Sequence, residues 1–425
     1  MKSAIAAITA LLLSVLILFI GSGLQSTLVP LAADASGFEP IFVGLIGSSY
    51  FVGMAVGCVA SPWLIRRTGH IRAFGACTAL ATAAALFHAL VVEPYTWNVL
   101  RLVSGFCFAA LYTVIESWLN DKTENSTRGR VLAVYNVINF AGMAAGQQFL
   151  RMFPPGGFQL FSVSALLISV AAIPIAMTRS VSPPIPETPR LYLFWLMRIS
   201  PVGVAGAATV GFANGIFWTL GPVYATTKGL DATGAGTFIT ASLVGALLAL
   251  WPAGRLSDRI DRRLVIVGLC VLSTIAGVGL SLVPANAAYW LFALAFLFGA
   301  GALPIYSLAS AHAADFASSE DMVQVVTGLL LVYTIGAIIG PTAGASLMTY
   351  LPAGTIFALT AGVHAGMALL TILRVRRREA VPAEERERFT AVPRTSPAIA
   401  ELDPRSELGE IEDELEISAP EERSY

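Results

Sequence analysis

One apolar segment of this chain, residues 96–118, contains two charged residues, the arginine Arg101 and the glutamate Glu116. Arg101, Gly105, Ala109, Tyr112 and Glu116 follow one another at steps of three or four residues, so a helix places them on one face. In a bilayer an arginine costs about 2.5–3.5 kcal/mol, so it should face water or a partner. Arg101 could therefore bind an anionic group or sense a neighbouring proton. Equally, it could bond backbone carbonyls and fix helix packing.

A second set of charged residues belongs to a stretch that occurs twice. Each copy is an apolar run containing glycine that ends in a basic cluster. The spacing from Gly53 to Arg67 equals that from Gly245 to Arg259, which indicates two copies of one module. Duplicated membrane modules are typical of secondary transporters.

Residue patterns for catalysis or for cofactor binding are missing from the sequence. There is no nucleophile with a base and an acid, no metal-ligand spacing and no GxxxxGK[ST] phosphate loop. The four cysteines lie in apolar segments, and the net charge is −1. We therefore expect no enzymatic activity, no catalytic residues, no metal, no cofactor and no nucleic-acid partner.

The composition predicts an all-α integral membrane protein. The chain has 425 residues, of which 56% are hydrophobic and 12% charged, whereas soluble domains carry roughly 25% charge. A spanning helix needs about 20 mainly apolar residues. The apolar N-terminus runs to Leu31, which favours a span over a signal peptide. Twelve spans are predicted, at 5–31, 41–64, 73–93, 96–118, 131–151, 158–177, 201–225, 234–254, 264–283, 288–311, 323–349 and 352–374.

A proline-rich linker divides these spans six and six. The predicted parts are an N-terminal six-helix bundle (1–177), a cytoplasmic linker (178–200), a C-terminal six-helix bundle (201–374) and a disordered acidic tail (375–425). The end of the linker should lie on the membrane as an interfacial helix. Most arginines and lysines lie in the loops on the side of the termini, so both termini are expected in the cytoplasm.

Several motifs resemble the major facilitator superfamily. Residues 254–263, GRLSDRIDRR, are similar to its GxxxDRxGRR loop, with Asp261 where glycine is usual. Residues 101–109 match RxxxGxxxA, and residues 336–344 resemble GxxxGPxxG. The segment GLIGSSYFVGMAVG, with VIESWLN and RGRVLAVY, is most similar to the YcaD-like permeases. The resemblance implies twelve transmembrane helices in two pseudo-symmetric six-helix bundles.

The same resemblance implies a set of gating residues on the cytoplasmic side. We expect Glu116 to pair with Arg66 or Arg67, and Asp315 with Arg259 or Arg262, as latches. Glu116 could instead carry a coupling proton. The gating set is Arg66, Arg67, Gly69, Glu116, Gly254, Asp258, Arg259, Arg262 and Asp315. Gly336, Gly340, Pro341 and Gly344 form a predicted helix-packing motif.

Polar and aromatic residues in the inner spans are the predicted cavity. For any one of them, packing between helices is the alternative. They suit a ligand with flat apolar and hydrogen-bonding parts. The set is Gln25, Tyr50, Arg101, Tyr112, Asn139, Asn214, Trp218, Tyr306 and Tyr333.

The resemblance implies a secondary transporter that moves a small molecule by alternating access. Protons are one candidate coupling ion. The alternatives are a transporter-like sensor or scaffold, which the acidic tail suggests, and a lipid flippase. We expect a monomer that crosses the bilayer of a bacterial inner (plasma) membrane many times.

Overall fold

The computed structural model describes residues 2–177, 183, 192–377, 379, 381, 382, 386 and 388–405, and every regular element in that part is helical. The α-helices are α1 (Lys2–Ala35), α2 (Pro40–Thr68), α3 (His70–Leu90), α4 (Pro94–Lys122), α5 (Arg128–Gln147), α6 (Phe158–Val170), α7 (Ala172–Ala176), α8 (Leu193–Ile199), α9 (Pro201–Thr227), α10 (Ala232–Arg259), α11 (Arg262–Leu282), α12 (Ala288–Ala302), α13 (Ile305–Ala314), α14 (Met322–Tyr350) and α15 (Thr355–Val375).

Each predicted span coincides with a helix or with two consecutive helices. Eleven stretches of the described chain are long and apolar enough to cross a bilayer, with α6 and α7 forming one and α12 and α13 another. The predicted fifth span is α5, a helix of 20 residues that does not reach the same hydropathy. It carries Arg128, Arg130, Asn136 and Asn139, and it packs against α1 inside the bundle. Asn136 and Asn139 line the central cavity, so the lower hydropathy of this helix reflects its inward position.

The two halves repeat the same helix pairings. In the first half α2 packs against α4 and α1 against α5, and in the second α10 packs against α12 and α9 against α14. Gly53 and Gly245 occupy equivalent close approaches, because a Cβ on either would collide with a backbone oxygen, that of Leu102 or Phe296. Small residues let helix backbones approach in this way. The duplicated stretch therefore packs helices in both copies.

Helices from the two halves meet most closely at one end of the bundle. Ser48 Oγ donates to the Ile338 carbonyl (2.6 Å) and lies 2.7 Å from Thr342 Oγ1, between α2 and α14. Gln148 Nε2 donates to Thr240 Oγ1 (3.1 Å), at the start of α10. These contacts lie in the half of the bundle away from the chain termini, here called the far side. The end where α1 begins and α15 ends is the termini side.

Part of the predicted disordered tail is folded, so that prediction is wrong for residues 389–405, here called the tail segment. It contains a 3-10 helix, Pro397–Leu402, with Ser396 as its N-cap. The exposed fractions of Ile399 and Leu402 are 0% and 1%. The segment packs because it contains a short apolar run within an otherwise charged tail.

The predicted linker and the rest of the predicted tail are only partly covered by the structure. The predicted interfacial helix corresponds to α8, which begins at Leu193. Linker residues 178–182 and 184–191, and tail residues 406–425, lie outside the described residues.

Candidate functional site

A central cavity lies between the two halves, and residues of the tail segment form part of its lining. The first half contributes side chains of α1, α2, α4 and α5, and the second half those of α9, α10, α13 and α14. Seven of the nine predicted cavity residues line it, namely Gln25, Tyr50, Arg101, Tyr112, Asn139, Trp218 and Tyr333.

The other two predicted cavity residues support Tyr333 from behind. Asn214 Nδ2 donates to Tyr333 Oη at 3.4 Å. The Tyr306 ring meets the Tyr333 ring edge to face, with centroids 5.6 Å apart. Asn214 and Tyr306 therefore position the aromatic wall of the cavity in the second half.

Arg101 is a buried cation in the cavity wall. Its side chain is held over the Tyr50 ring, with Cζ 4.2 Å from the centroid, in a cation–π contact. Among the described residues no carboxylate lies within salt-bridge distance of Arg101, and its Nε has no hydrogen-bond partner. A buried cation without a counter-ion is costly. The geometry therefore favours a role in the cavity over one in backbone packing.

Gln25 is a second polar side chain with unused hydrogen-bonding capacity. It is buried in α1 and lines the cavity, and neither its amide oxygen nor its amide nitrogen has a partner in the described part of the chain. Buried amides normally have partners. Gln25 and Arg101 are thus the free polar groups through which this wall could bind a ligand.

Glu116 does not make the predicted pair with Arg66 or Arg67, and that prediction is wrong in this structure. Its buried carboxylate accepts hydrogen bonds from Tyr135 Oη (2.7 Å), from the Thr395 hydroxyl and from Ser396 Oγ (2.5 Å). Three hydroxyl donors therefore compensate the burial of this group instead of an arginine.

The tail segment brings a residue into the cavity that the sequence did not suggest. Arg394 Cζ lies 5.6 Å from the centroid of the Tyr306 ring and 5.4 Å from that of Tyr333, and Nη1 donates to the Leu303 carbonyl at 3.4 Å. Residues 392–395 all line the cavity. The available signal was the run FTAVPRTSPAIA, which is neutral apart from this arginine.

Of the two partners predicted for Asp315, the structure pairs it with Arg262, and a role of this pair as a latch stays a prediction. Arg262 Nε donates to Asp315 Oδ2 at 2.8 Å, and both side chains are almost fully buried. Arg262 Nη1 also lies 3.3 Å from Asp258 Oδ1, whereas Arg259 is exposed. Burial raises the pKa of the Asp315 carboxyl, and the charge of Arg262 opposes that shift. Arg262, at the start of α11, is thus linked through Asp315 to the end of α13 and through Asp258 to α10.

A separate ion pair forms at the start of α11, between its N-cap Asp261 and Arg263. Arg263 Nη2 lies 2.7 Å from Asp261 Oδ2. Burial would raise the pKa of Asp261, but the hydrogen bonds and charge of Arg263 outweigh it and lower that pKa. Asp261, which stands where the resembling motif has glycine, therefore caps the start of α11.

The corresponding loop of the first half is arranged differently. Arg66 and Arg67 end α2 on the termini side and are exposed, with Arg67 lying over Trp63 at 5.6 Å. Gly69 follows with φ +81°, a conformation that glycine adopts without strain. Gly69 therefore makes the turn into α3.

Glycines of the predicted packing motif lie against α9. A Cβ at Gly336 would come within 2.6 Å of the Ala208 carbonyl oxygen, and one at Gly340 would collide with that of Phe212. Gly344 faces Leu220, which also belongs to α9. The second neighbour is α2, where a Cβ added at Gly44 would lie 2.7 Å from the Pro341 carbonyl oxygen. This face thus packs two helices. Gly254 differs, since the Phe389 ring covers it.

The sequence matches one family model over most of its length. The model is that of the Major Facilitator Superfamily, and it matches residues 11–192 and 203–408. An uncharacterized MFS-type transporter of Enterobacter sp. (strain 638) is 29% identical over 369 residues, which cover 86% of this chain and 94% of the relative. The uncharacterized MFS-type transporter YcaD of Escherichia fergusonii is 28% identical over 378 residues, covering 88% and 96%.

Solved structures share the fold at low sequence identity. The nucleoside transporter NupG superposes with a TM-score of 0.73 at 12% identity, covering 88% of this chain and 100% of that one. A bacterial homolog to the human lysosomal transporter Spinster, in an inward-facing and occupied conformation, gives a TM-score of 0.71 at 15% identity, covering 89% and 97%.

Proposed function

The chain belongs to the Major Facilitator Superfamily, and on this premise we propose that it moves a small organic molecule across the plasma membrane by alternating access. A membrane transporter of this family works in a lipid bilayer on a small-molecule substrate. The observation that supports a binding role for the cavity is Arg101, a buried cation in its wall that has no counter-ion among the described residues.

The packing of the two halves supports the alternating-access part of the proposal. Helices close the far side through α2 with α14 and α5 with α10, whereas the tail segment lies across the cavity at the termini side. Most basic loop residues lie on the termini side, and we propose that this side is cytoplasmic. The structure then corresponds to a state closed toward the exterior.

The cavity lining suggests the chemistry of the substrate. Arg101 and the Gln25 amide offer donors on one wall, and Trp218 and Tyr333 offer flat surfaces on the other. We propose a substrate that has an anionic or strongly accepting group and a flat apolar part.

Glu116 is the candidate for coupling to protons. It is the acid among the cavity-side spans of the first half, and its described partners are hydroxyl groups rather than basic side chains. A carboxyl without a basic partner can exchange a proton when its surroundings change. We propose that Glu116 does so when the termini side opens or closes.

A ligand screen followed by a flux measurement tests this function. Thermal unfolding of the purified full chain is recorded against aromatic carboxylates, nucleosides and amino acids. A ligand at 100 times its Kd adds about 2.7 kcal/mol of stability. Any stabilising compound is then measured for movement into vesicles with and without a pH gradient. Ligands that stabilise the protein but never cross the membrane would contradict transport and favour a sensor.

A further inference from the structure

We propose that the tail segment is an intrachain plug that closes the cavity on the termini side and competes there with a cationic group of the substrate. The competition rests on the proposed transport function. The closure rests on contacts of the tail segment alone.

The tail segment is attached to the second half at its beginning. The backbone N–H of Phe389 donates to Asp258 Oδ1 at 2.9 Å, and the Phe389 ring covers Gly254. Both contacts lie at the termini-side end of α10. Two residues of the motif GRLSDRIDRR, Gly254 and Asp258 of α10, thus hold the start of the plug.

The rest of the tail segment is attached to the first half. Asn136 Nδ2 donates to the Ala391 carbonyl at 2.7 Å, and Arg128 Nη1 donates to the Glu401 carbonyl at 2.7 Å. Asn120 Nδ2 reaches the Glu401 carboxylate at 3.1 Å. Ile399, Ala400 and Leu402 join the apolar core of the first half. The plug therefore bridges two bodies that alternating access must move apart.

Between these attachments the segment enters the cavity. Arg394 lies against Tyr306 and Tyr333, while Thr395 and Ser396 bond Glu116. No solute can pass this point while Arg394 occupies it, and the two halves cannot close over it on the termini side. The segment must therefore leave during each transport cycle, or transport stops.

The contacts of Arg394 also indicate the kind of chemical group that displaces its side chain. Its guanidinium is held by two aromatic rings and one carbonyl, which is a site for an organic cation. The Tyr306 hydroxyl is buried beside this site and has no partner among the described residues. A zwitterion with its anionic end at Arg101 and its cationic end at Tyr333 would contact both halves at once.

A thiol reporter in the cavity tests the plug without any substrate. Ser307 lines the same cavity as Arg394, so the full chain carries Ser307→Cys with Cys58→Ser, and labelling by a charged maleimide is measured from the termini side. We expect Arg394→Ala to accelerate labelling about tenfold, on the scale of a desolvated cation–π contact. The matched control is Arg388→Ala, an exposed residue of the same tail, which should leave the rate unchanged.

A peptide and a cross-link supply independent readouts. Synthetic peptide 388–402 should restore slow labelling to the Arg394→Ala chain, and the same peptide with citrulline in place of arginine should not. In a chain without the reporter, Asn120→Cys with Glu401→Cys should join efficiently through a short bis-maleimide, and Arg394→Ala should reduce the yield.

Equal labelling rates in the Arg394→Ala and Arg388→Ala chains would overturn the plug. Equal cross-link yields from the Asn120→Cys, Glu401→Cys chain with and without Arg394→Ala would also overturn it. If labelling follows the prediction but no solute is ever transported, the plug stands and the proposed function fails.

Discussion

Arg101 of α4 lies over the ring of Tyr50 of α2, with Cζ 4.2 Å from the ring centroid. Both residues line the cavity, and no acid among the described residues offsets the charge. The ring holds the guanidinium without neutralising it, so the charge remains available to a ligand. This pair is the basis of the proposed substrate site.

Replacing the ring of Tyr50 should weaken ligand binding. Tyr50→Leu removes the cation–π contact, and we expect a loss of about 5- to 30-fold in affinity, equivalent to about 1–2 kcal/mol. Tyr50→Phe retains the ring and should bind within about twofold of the parent chain, by the same interaction. Isothermal titration with a ligand found in the screen measures both. An equal loss in the two variants would show that the hydroxyl, and not the ring, matters.

Removing the charge of Glu116 should release the tail segment. Thr395 and Ser396 donate to this carboxylate, and a hydrogen bond to a charged group contributes about 1.5–3 kcal/mol. Glu116→Gln should therefore accelerate maleimide labelling at Ser307→Cys by about tenfold or more. Glu124→Gln, at an exposed position, is the control. Unchanged labelling in Glu116→Gln would show that these hydroxyl contacts do not hold the plug.

Breaking the buried pair of Arg262 and Asp315 should destabilise the protein. Asp315→Asn leaves a buried cation with weaker compensation, and such changes cost about 3–5 kcal/mol. Asp121→Asn breaks a partly exposed pair with Lys122 and should cost about 0–1 kcal/mol. Thermal unfolding in detergent compares the two. Equal melting temperatures would mean that water or another group replaces the lost charge.

Adding a methyl group to Gly340 should separate α14 from α9. A Cβ there would collide with the carbonyl oxygen of Phe212, so Gly340→Ala forces a backbone shift and should cost about 1–3 kcal/mol, as overpacking does. Gly366→Ala places the same methyl group in open space and should not lower the melting temperature. A stable Gly340→Ala protein would show that the two helices can move apart freely.

The helices and one ion pair could be predicted because they depend on local patterns. Apolar length and flanking charge locate the spans, and repeated motif spacing relates the halves. The pairing of Arg262 with Asp315 could be predicted because both residues follow or begin predicted spans at the same end of the bundle. Seven cavity residues were predicted because polar groups in apolar spans tend to face inward.

The partners of Glu116 could not be predicted in the same way. Two of its three hydrogen-bond donors lie in the tail segment, 279 and 280 residues further along the chain. The acidic composition of the tail as a whole concealed the apolar run around Ile399, which packs only because the first half offers it a core. Such contacts depend on tertiary structure and leave no local pattern.

The charge of Arg101 provides the most direct test of the proposed transport site. Flux of a screened ligand into vesicles is measured for Arg101→Ala and Arg101→Lys, with Arg72→Ala, an exposed arginine, as the control. Losing a charged hydrogen bond should reduce affinity about 10- to 100-fold in Arg101→Ala, with partial recovery in Arg101→Lys. Transport by Arg101→Ala that matches the Arg72→Ala control in both apparent affinity and maximal rate would contradict the account.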